Sequence, residues 1–179
     1  PHELLQNCIF ILNAGHETTT NLICSGIWLL SQLPETVAVL NADTSLWPAA
    51  IEEILRMESP NQLGNRRAVA SFKMGGRHWP EGTLITLGMG AANRDPAVFN
   101  QPDEFRLDRG DNPHLAFAGG VHVCAGNTIA RIEGQIALAS LFNRWPALQV
   151  GDSMRRSPRV RFRGFEEMPL YLGAAAKPR

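Results

Sequence analysis

Apolar residues recur at helical spacing, on more than one face, through residues 3–33. A helix of that kind is expected to be buried. Its centre breaks the pattern: residues 13–21 read Asn-Ala-Gly-His-Glu-Thr-Thr-Thr-Asn. Gly15 costs about 1 kcal/mol relative to Ala in a helix interior, and the run Thr18-Thr19-Thr20 adds β-branched strain. A weak polar centre in an apolar helix is the local inconsistency expected at a functional site; a kinked helix with self-satisfied threonines is the bland alternative.

Leu33-Pro34 stops this helix, and residues 34–40 predict a short second one. Pro48 stands at the start of a third, over residues 49–57, which Ser59-Pro60 ends. Glu53 and Arg56 lie at i and i+3 on that helix, a spacing that alone is common decoration. From Arg66 to Gly90 the pattern turns strand-like. Residues 68–74, the turn Gly75-Gly76 and residues 77–79 predict a hairpin, and residues 83–87 a further strand. A loop-rich stretch runs from Asn93 to about Pro113; loops that long are functional or tightly packed. Residues 127–142 carry a helical apolar face at Ile129, Ile132, Ile136, Leu138 and Leu141. Residues 159–172 alternate arginine with apolar residues, predicting a strand with one charged face.

Composition narrows the class. The 179 residues are 44% hydrophobic and 19% charged, with 17 basic and 17 acidic side chains, which fits a folded chain of one domain or part of one. Zero net charge argues against binding a polyphosphate by bulk electrostatics. The arginines from 155 to 163 lack interleaved stacking aromatics beyond Phe162 and Phe165, so a solvated face is the better reading than nucleic-acid binding. No apolar stretch reaches the ~20 residues of a membrane span. Three cysteines are too few for a disulfide scaffold, and Cys8 and Cys24 on one helix would stand roughly 24 Å apart. A reducing, cytoplasmic compartment is therefore expected. The chain opens on Pro1, almost inside an apolar periodic segment, so it is expected to begin in mid-protein.

Cys124 is the sharpest chemical signal. Gly119, Gly120 and Gly126 let the backbone approach a ligand closely, and a helix N-terminus follows at once. That positive dipole end favours a thiolate, which serves as a nucleophile or a soft metal ligand. Other motifs fail. His16-Glu17-Thr18-Thr19-Thr20 lacks the second histidine of a zinc-protease helix, Gly88-Met89-Gly90-Ala91-Ala92-Asn93 lacks the last glycine of a dinucleotide loop, and no Cys-x-x-Cys exists.

Phe117-Ala118-Gly119-Gly120-Val121-His122-Val123-Cys124-Ala125-Gly126 resembles the haem-ligand loop of the cytochrome P-450 superfamily. Ala14-Gly15-His16-Glu17-Thr18-Thr19 resembles that family's oxygen-activating helix, and Glu53-Ile54-Leu55-Arg56 its Glu-x-x-Arg pair. Asn93-Arg94-Asp95-Pro96 and Arg163-Gly164-Phe165-Glu166-Glu167-Met168-Pro169 are similar to segments of soluble bacterial members. The motifs fall in family order, and residues 1–179 resemble the C-terminal, haem-binding half of one domain, mainly α with small β sheets.

The resemblance implies haem b with Cys124 as axial thiolate. It implies His122 and Arg66 (Arg67 as fallback) on the haem propionates, Phe117 beside the sulfur, and Gly126 closing the loop. Ala14 and Gly15 would leave room for oxygen, and Glu17 and Thr18 would relay protons. Glu53, Arg56 and Arg109 would form a buried ion-pair cluster. Ala118 stands where many members have glycine. The implied activity is a monooxygenase acting on a small organic substrate, with a ferredoxin- or flavodoxin-type electron donor and the missing N-terminal half of the fold as partner. A peroxide-driven peroxygenase and a non-catalytic fragment stay open beside it.

Overall fold

The computed structural model describes residues 2–176. Three long helices form the core: α1 (His2–Leu30), α3 (Trp47–Met57) and α5 (Asn127–Arg144) pack on one another, with α2 (Pro34–Ala42) against α5. Pro34 and Pro48 sit in the first turns of α2 and α3, where a missing N–H costs nothing. The core gathers Leu22, Leu30, Leu40, Trp47, Ile54, Leu138 and Phe142, all nearly inaccessible. Glycines set the helix approach: a Cβ on Gly26 of α1 would overlap Leu138 of α5, and one on Gly134 of α5 would come within 3.1 Å of Leu22.

Four small antiparallel pairs surround this bundle. β1 (Leu63–Arg67) pairs with β4 (Leu84–Gly88), with Arg66 opposite Ile85. β2 (Phe72–Met74) and β3 (Arg77–Trp79) form the hairpin predicted around Gly75-Gly76, both at positive φ (58° and 73°), where glycine is unstrained. The four-residue α4 (Met89–Ala92) follows β4. β5 (Gln149–Val150) pairs with β8 (Leu170–Tyr171), and β6 (Arg155–Arg156) with β7 (Phe165–Glu167).

Three expectations change. The helix over 3–33 is there, yet it is buried only from Asn21 onward; Leu4, Phe10, Ile11 and Leu12 are 68–73% exposed. Periodicity reports that a helix has apolar faces, not which surface covers them. The first strand is Leu63–Arg67, not the start of 68–74. Its backbone ladder with β4 forms without apolar alternation, and Ala68 closes that ladder through Thr83 and Gly82. Residues 159–172 are not one strand. Irregular backbone around the Asn61–Phe162 bridge precedes two short strands; within it Arg159 pairs with Glu17 and Arg163 with Glu58.

Among the described residues no single helix is long and apolar enough to cross a membrane. Only α1 and α2 taken together pass that test, and they are bent by 109°.

Candidate functional site

The Cys124 loop is built by its neighbours in sequence. The Cys124 N–H donates to the Phe117 carbonyl at 2.9 Å, closing residues 117–124 on themselves. Ala118 and Gly120 make the turn at φ 58° and 65°. The alanine therefore occupies the left-handed region, at a cost of about 1–2 kcal/mol for a residue with a Cβ. Gly120–His122 form a single 3-10 turn, and α5 begins at Asn127 with Gly126 as its cap. Cys124, His122 and Gly126 are exposed, and around Gly119 and Gly120 nothing stands within 4 Å of where a side chain would be. The sulfur thus sits on an open face at a helix N-terminus, as the sequence suggests. Cys8 and Cys24 both lie along α1; Cys24 is half-buried, and burial pushes its thiol pKa up.

Behind the loop lies a cluster of buried charge. Arg56, fully buried, donates through Nε and Nη2 to both oxygens of Glu53, at 2.8 and 2.9 Å. Arg109 reaches Glu53 Oε1 at 2.8 Å, so the three predicted partners meet. Burial raises the Glu53 pKa, but the hydrogen bonds from Arg56, Arg106 N–H and Arg109 outweigh it, leaving the carboxyl below its ordinary value. Arg56 also serves the carbonyls of Asn93, Pro102 and Glu104, and Arg109 those of Asn100, Gln101 and Glu104. The long loop from Asn93 is therefore held mainly by guanidinium groups. Asn93, also fully buried, receives the Leu115 N–H at 2.7 Å and so joins that loop to the Cys124 loop.

A second wall is the centre of α1. Thr18 Oγ1 donates to Ala14 O at 2.8 Å, the back-bonding that weakens a helix. Ala14 and Gly15 are exposed, and nothing stands within 4 Å of Gly15. Glu17 forms an ion pair with Arg159, 142 residues away. One turn on, a Cβ on Gly164 would overlap Asn21, so the segment around residues 157–165 lies along this face of α1. Gln62 N–H donates to Arg161 O (2.8 Å) and Arg163 N–H to Pro60 O (2.9 Å), tying the same segment to the strand that carries Arg66. Arg66 is half-buried, and its side chain donates to its neighbour's carbonyl, Asn65 O, at 2.9 Å.

Sequence reading missed two features here. Glu58 is 2% exposed and takes both Arg156 (3.0 Å) and Arg163 (2.7 Å). Arg156 also stacks over Trp28, at 4.1 Å, and Phe165, at 4.7 Å. The arginines read as a solvated face are thus largely paired, and a buried glutamate after α3 was the only local hint.

Whether the site fits haem is decided by its donors. Among the described residues no group of three or more His, Cys, Asp or Glu side chains could hold a metal ion. One exposed soft sulfur on an open glycine loop suits a metal that brings its own ring of donors. A helix-rich chain thus carries an open cysteine loop at a helix N-terminus, backed by a buried Glu-Arg-Arg cluster. The family model for Cytochrome P450 matches residues 40–158, and the chain belongs to that family.

The chain is 43% identical over 169 residues to the biotin biosynthesis cytochrome P450 of Bacillus subtilis, covering 94% of this chain and 43% of that protein. It is 36% identical to 6-deoxyerythronolide B hydroxylase of Saccharopolyspora erythraea, covering 95% of this chain and 43% of that one. It superposes on CYP109E1 from Bacillus megaterium in complex with testosterone with a TM-score of 0.92 at 34% identity, covering 97% of this chain and 49% of that one. P450BioI in complex with hexadec-9Z-enoic acid ligated acyl carrier protein gives 0.88 at 43% identity, covering 92% and 43%. The chain thus spans less than half the length of these relatives.

Proposed function

We propose that the chain is the haem-binding part of a haem-thiolate monooxygenase. It would insert one oxygen atom from O2 into a C–H or C=C bond of an organic substrate, in the cytoplasm, with electrons from a ferredoxin- or flavodoxin-type donor. The single observation that carries this reading is Cys124: exposed, on a glycine loop with open space around it, two residues before the Gly126 cap of α5. Haem iron ligated by thiolate supplies reductive activation of O2, the thiolate's electron density favouring O–O cleavage.

The chain's own residues do the rest. Cys124 holds the iron, and Gly126 ends the loop at the helix cap. Phe117 fixes the Cys124 N–H through its carbonyl, and its side chain would pack beside the sulfur. His122 and Arg66 bind the propionates, where a charged donor to a carboxylate makes a strong bond. Ala14 and Gly15, both exposed, would leave room for oxygen. Thr18 donates its O–H in a hydrogen bond to Ala14 O, which leaves its lone pairs free to accept a hydrogen bond from water, and Glu17 beside it would take up and release the protons. The exposed apolar segment of α1 is the surface that the N-terminal half of the fold covers.

The test is the spectrum of the reduced, CO-bound, haem-loaded protein. It should show the red-shifted Soret band of thiolate ligation, lost in Cys124→Ala and kept in Cys8→Ala and Cys24→Ala. A retained band in Cys124→Ala refutes the assignment.

A further inference from the structure

A second set of side chains reaches the Cys124 loop from the other side of α3. Glu52 stands one residue before Glu53 and binds a different arginine. Arg131 of α5 grips it as a fork, Nε to Oε1 at 2.6 Å and Nη2 to Oε2 at 3.0 Å. The remaining amino group of that guanidinium, Nη1, donates to Asn127 Oδ1 at 2.8 Å. Asn127 Nδ2 in turn donates to the Cys124 carbonyl at 2.6 Å. The Arg131 Cζ also lies 4.5 Å from the centroid of the Phe117 ring, whose residue accepts the Cys124 N–H. On the far side of Glu52, His114 Nε2 stands 3.0 Å from Oε2, and its Nδ1 accepts the Ala116 N–H at 3.3 Å.

These contacts hold the loop at both ends: residues 114–117 through His114 and the Phe117 ring, residues 124–127 through Asn127. We propose that Glu52, Arg131, Asn127 and His114 are positioning residues for the Cys124 sulfur, a clamp that fixes the Cys124 carbonyl through Asn127 and holds the Phe117 ring under the Arg131 guanidinium. The inference rests on the reading of Cys124 as the iron ligand.

Two arguments separate this clamp from ordinary surface pairing. Arg131 is 37% exposed, and an ion pair so placed contributes only modestly to stability, so stability alone does not explain a guanidinium with all three nitrogens bonded. Its chemistry also points to the loop: Arg131 is held above its ordinary pKa first by the hydrogen bond to Glu52 and then, past the cost of burial, by attraction to Glu52 and to Cys124.

The test uses Asn127→Ala, Arg131→Ala and, as control, Thr128→Ala at the exposed neighbouring position, each in the haem-loaded protein. The readout is the ratio of the thiolate-type to the displaced-sulfur Soret band in the reduced CO complex. Loss of a charge-assisted bond should lower that ratio at least about tenfold in Arg131→Ala, with a smaller fall in Asn127→Ala. The spectrum of Thr128→Ala should stay at wild type. A purely structural clamp would shift midpoints and leave the spectra alone, and that result overturns the proposal; equal spectral change in Thr128→Ala also does. If Arg131→Ala does not fold, Asn127→Ala decides. A wild-type protein without the thiolate-type band overturns the ligand assignment itself, a separate outcome.

Discussion

Arg56 offers the clearest test of how the site is held. It is fully buried and makes five hydrogen bonds, two to Glu53 and one each to the carbonyls of Asn93, Pro102 and Glu104. Arg56→Met keeps most of the stem's volume and removes the whole fork. Glu53 then keeps Arg109, Asn112 and the Arg106 N–H, so its charge is weakened in support and not abandoned. Breaking a buried pair costs about 3–5 kcal/mol. Against a typical total of about 5–15 kcal/mol this is a large fraction. Arg155, 62% exposed and paired with Glu166 and Glu167, provides the contrast: Arg155→Met should cost under about 1 kcal/mol. Urea unfolding of the three proteins at neutral pH measures both differences, with an unchanged slope licensing the comparison. If Arg56→Met and Arg155→Met lose similar stability, the account of the cluster as the fastening of residues 93–112 is wrong.

Two further predictions concern other parts of the site. In the complete enzyme, Thr18→Ala should keep haem content and reductant consumption while product per electron pair falls, up to the ~10²–10⁴-fold scale of general acid catalysis, the missing equivalents appearing as peroxide or water. Unchanged coupling in both Thr18→Ala and Glu17→Gln would defeat the relay and favour the peroxide-driven alternative. Glu52 is destabilised by burial, but hydrogen bonds from His114 and Arg131 outweigh that and lower its pKa from 4.5 to about 2. A lowered native pKa means stability present above pH 4.5 and lost as pH falls toward 2. The displacement corresponds to at most about 3 kcal/mol, and with the carboxylate 28% exposed screening leaves about 1–2 kcal/mol. The stability gap between wild type and Glu52→Gln should therefore close across that window; a gap independent of pH would refute the pairing.

What the sequence determined by itself is local. Pro34 and Pro48 start helices, Gly75-Gly76 turns a hairpin, and the 3.6-residue period marks α1 and α5, because each signal acts within one or two turns of chain. The glycines around Cys124 and the helix that follows it are of the same kind, so the candidate ligand was legible. Only the tertiary structure decided what meets what. Arg131 finds Glu52 across 79 residues, Arg156 finds Glu58 across 98 and Arg159 finds Glu17 across 142; no periodicity carries such pairings. Ala118 adopts a positive φ although its residue type disfavours it, since the bond from Cys124 to Phe117 closes the loop over it. The burial of α1 from Asn21 onward, and the exposure of its apolar first half, depend on where α3 and α5 lie. Sequence reports which residues are apolar, but burial is a property of the surface they face.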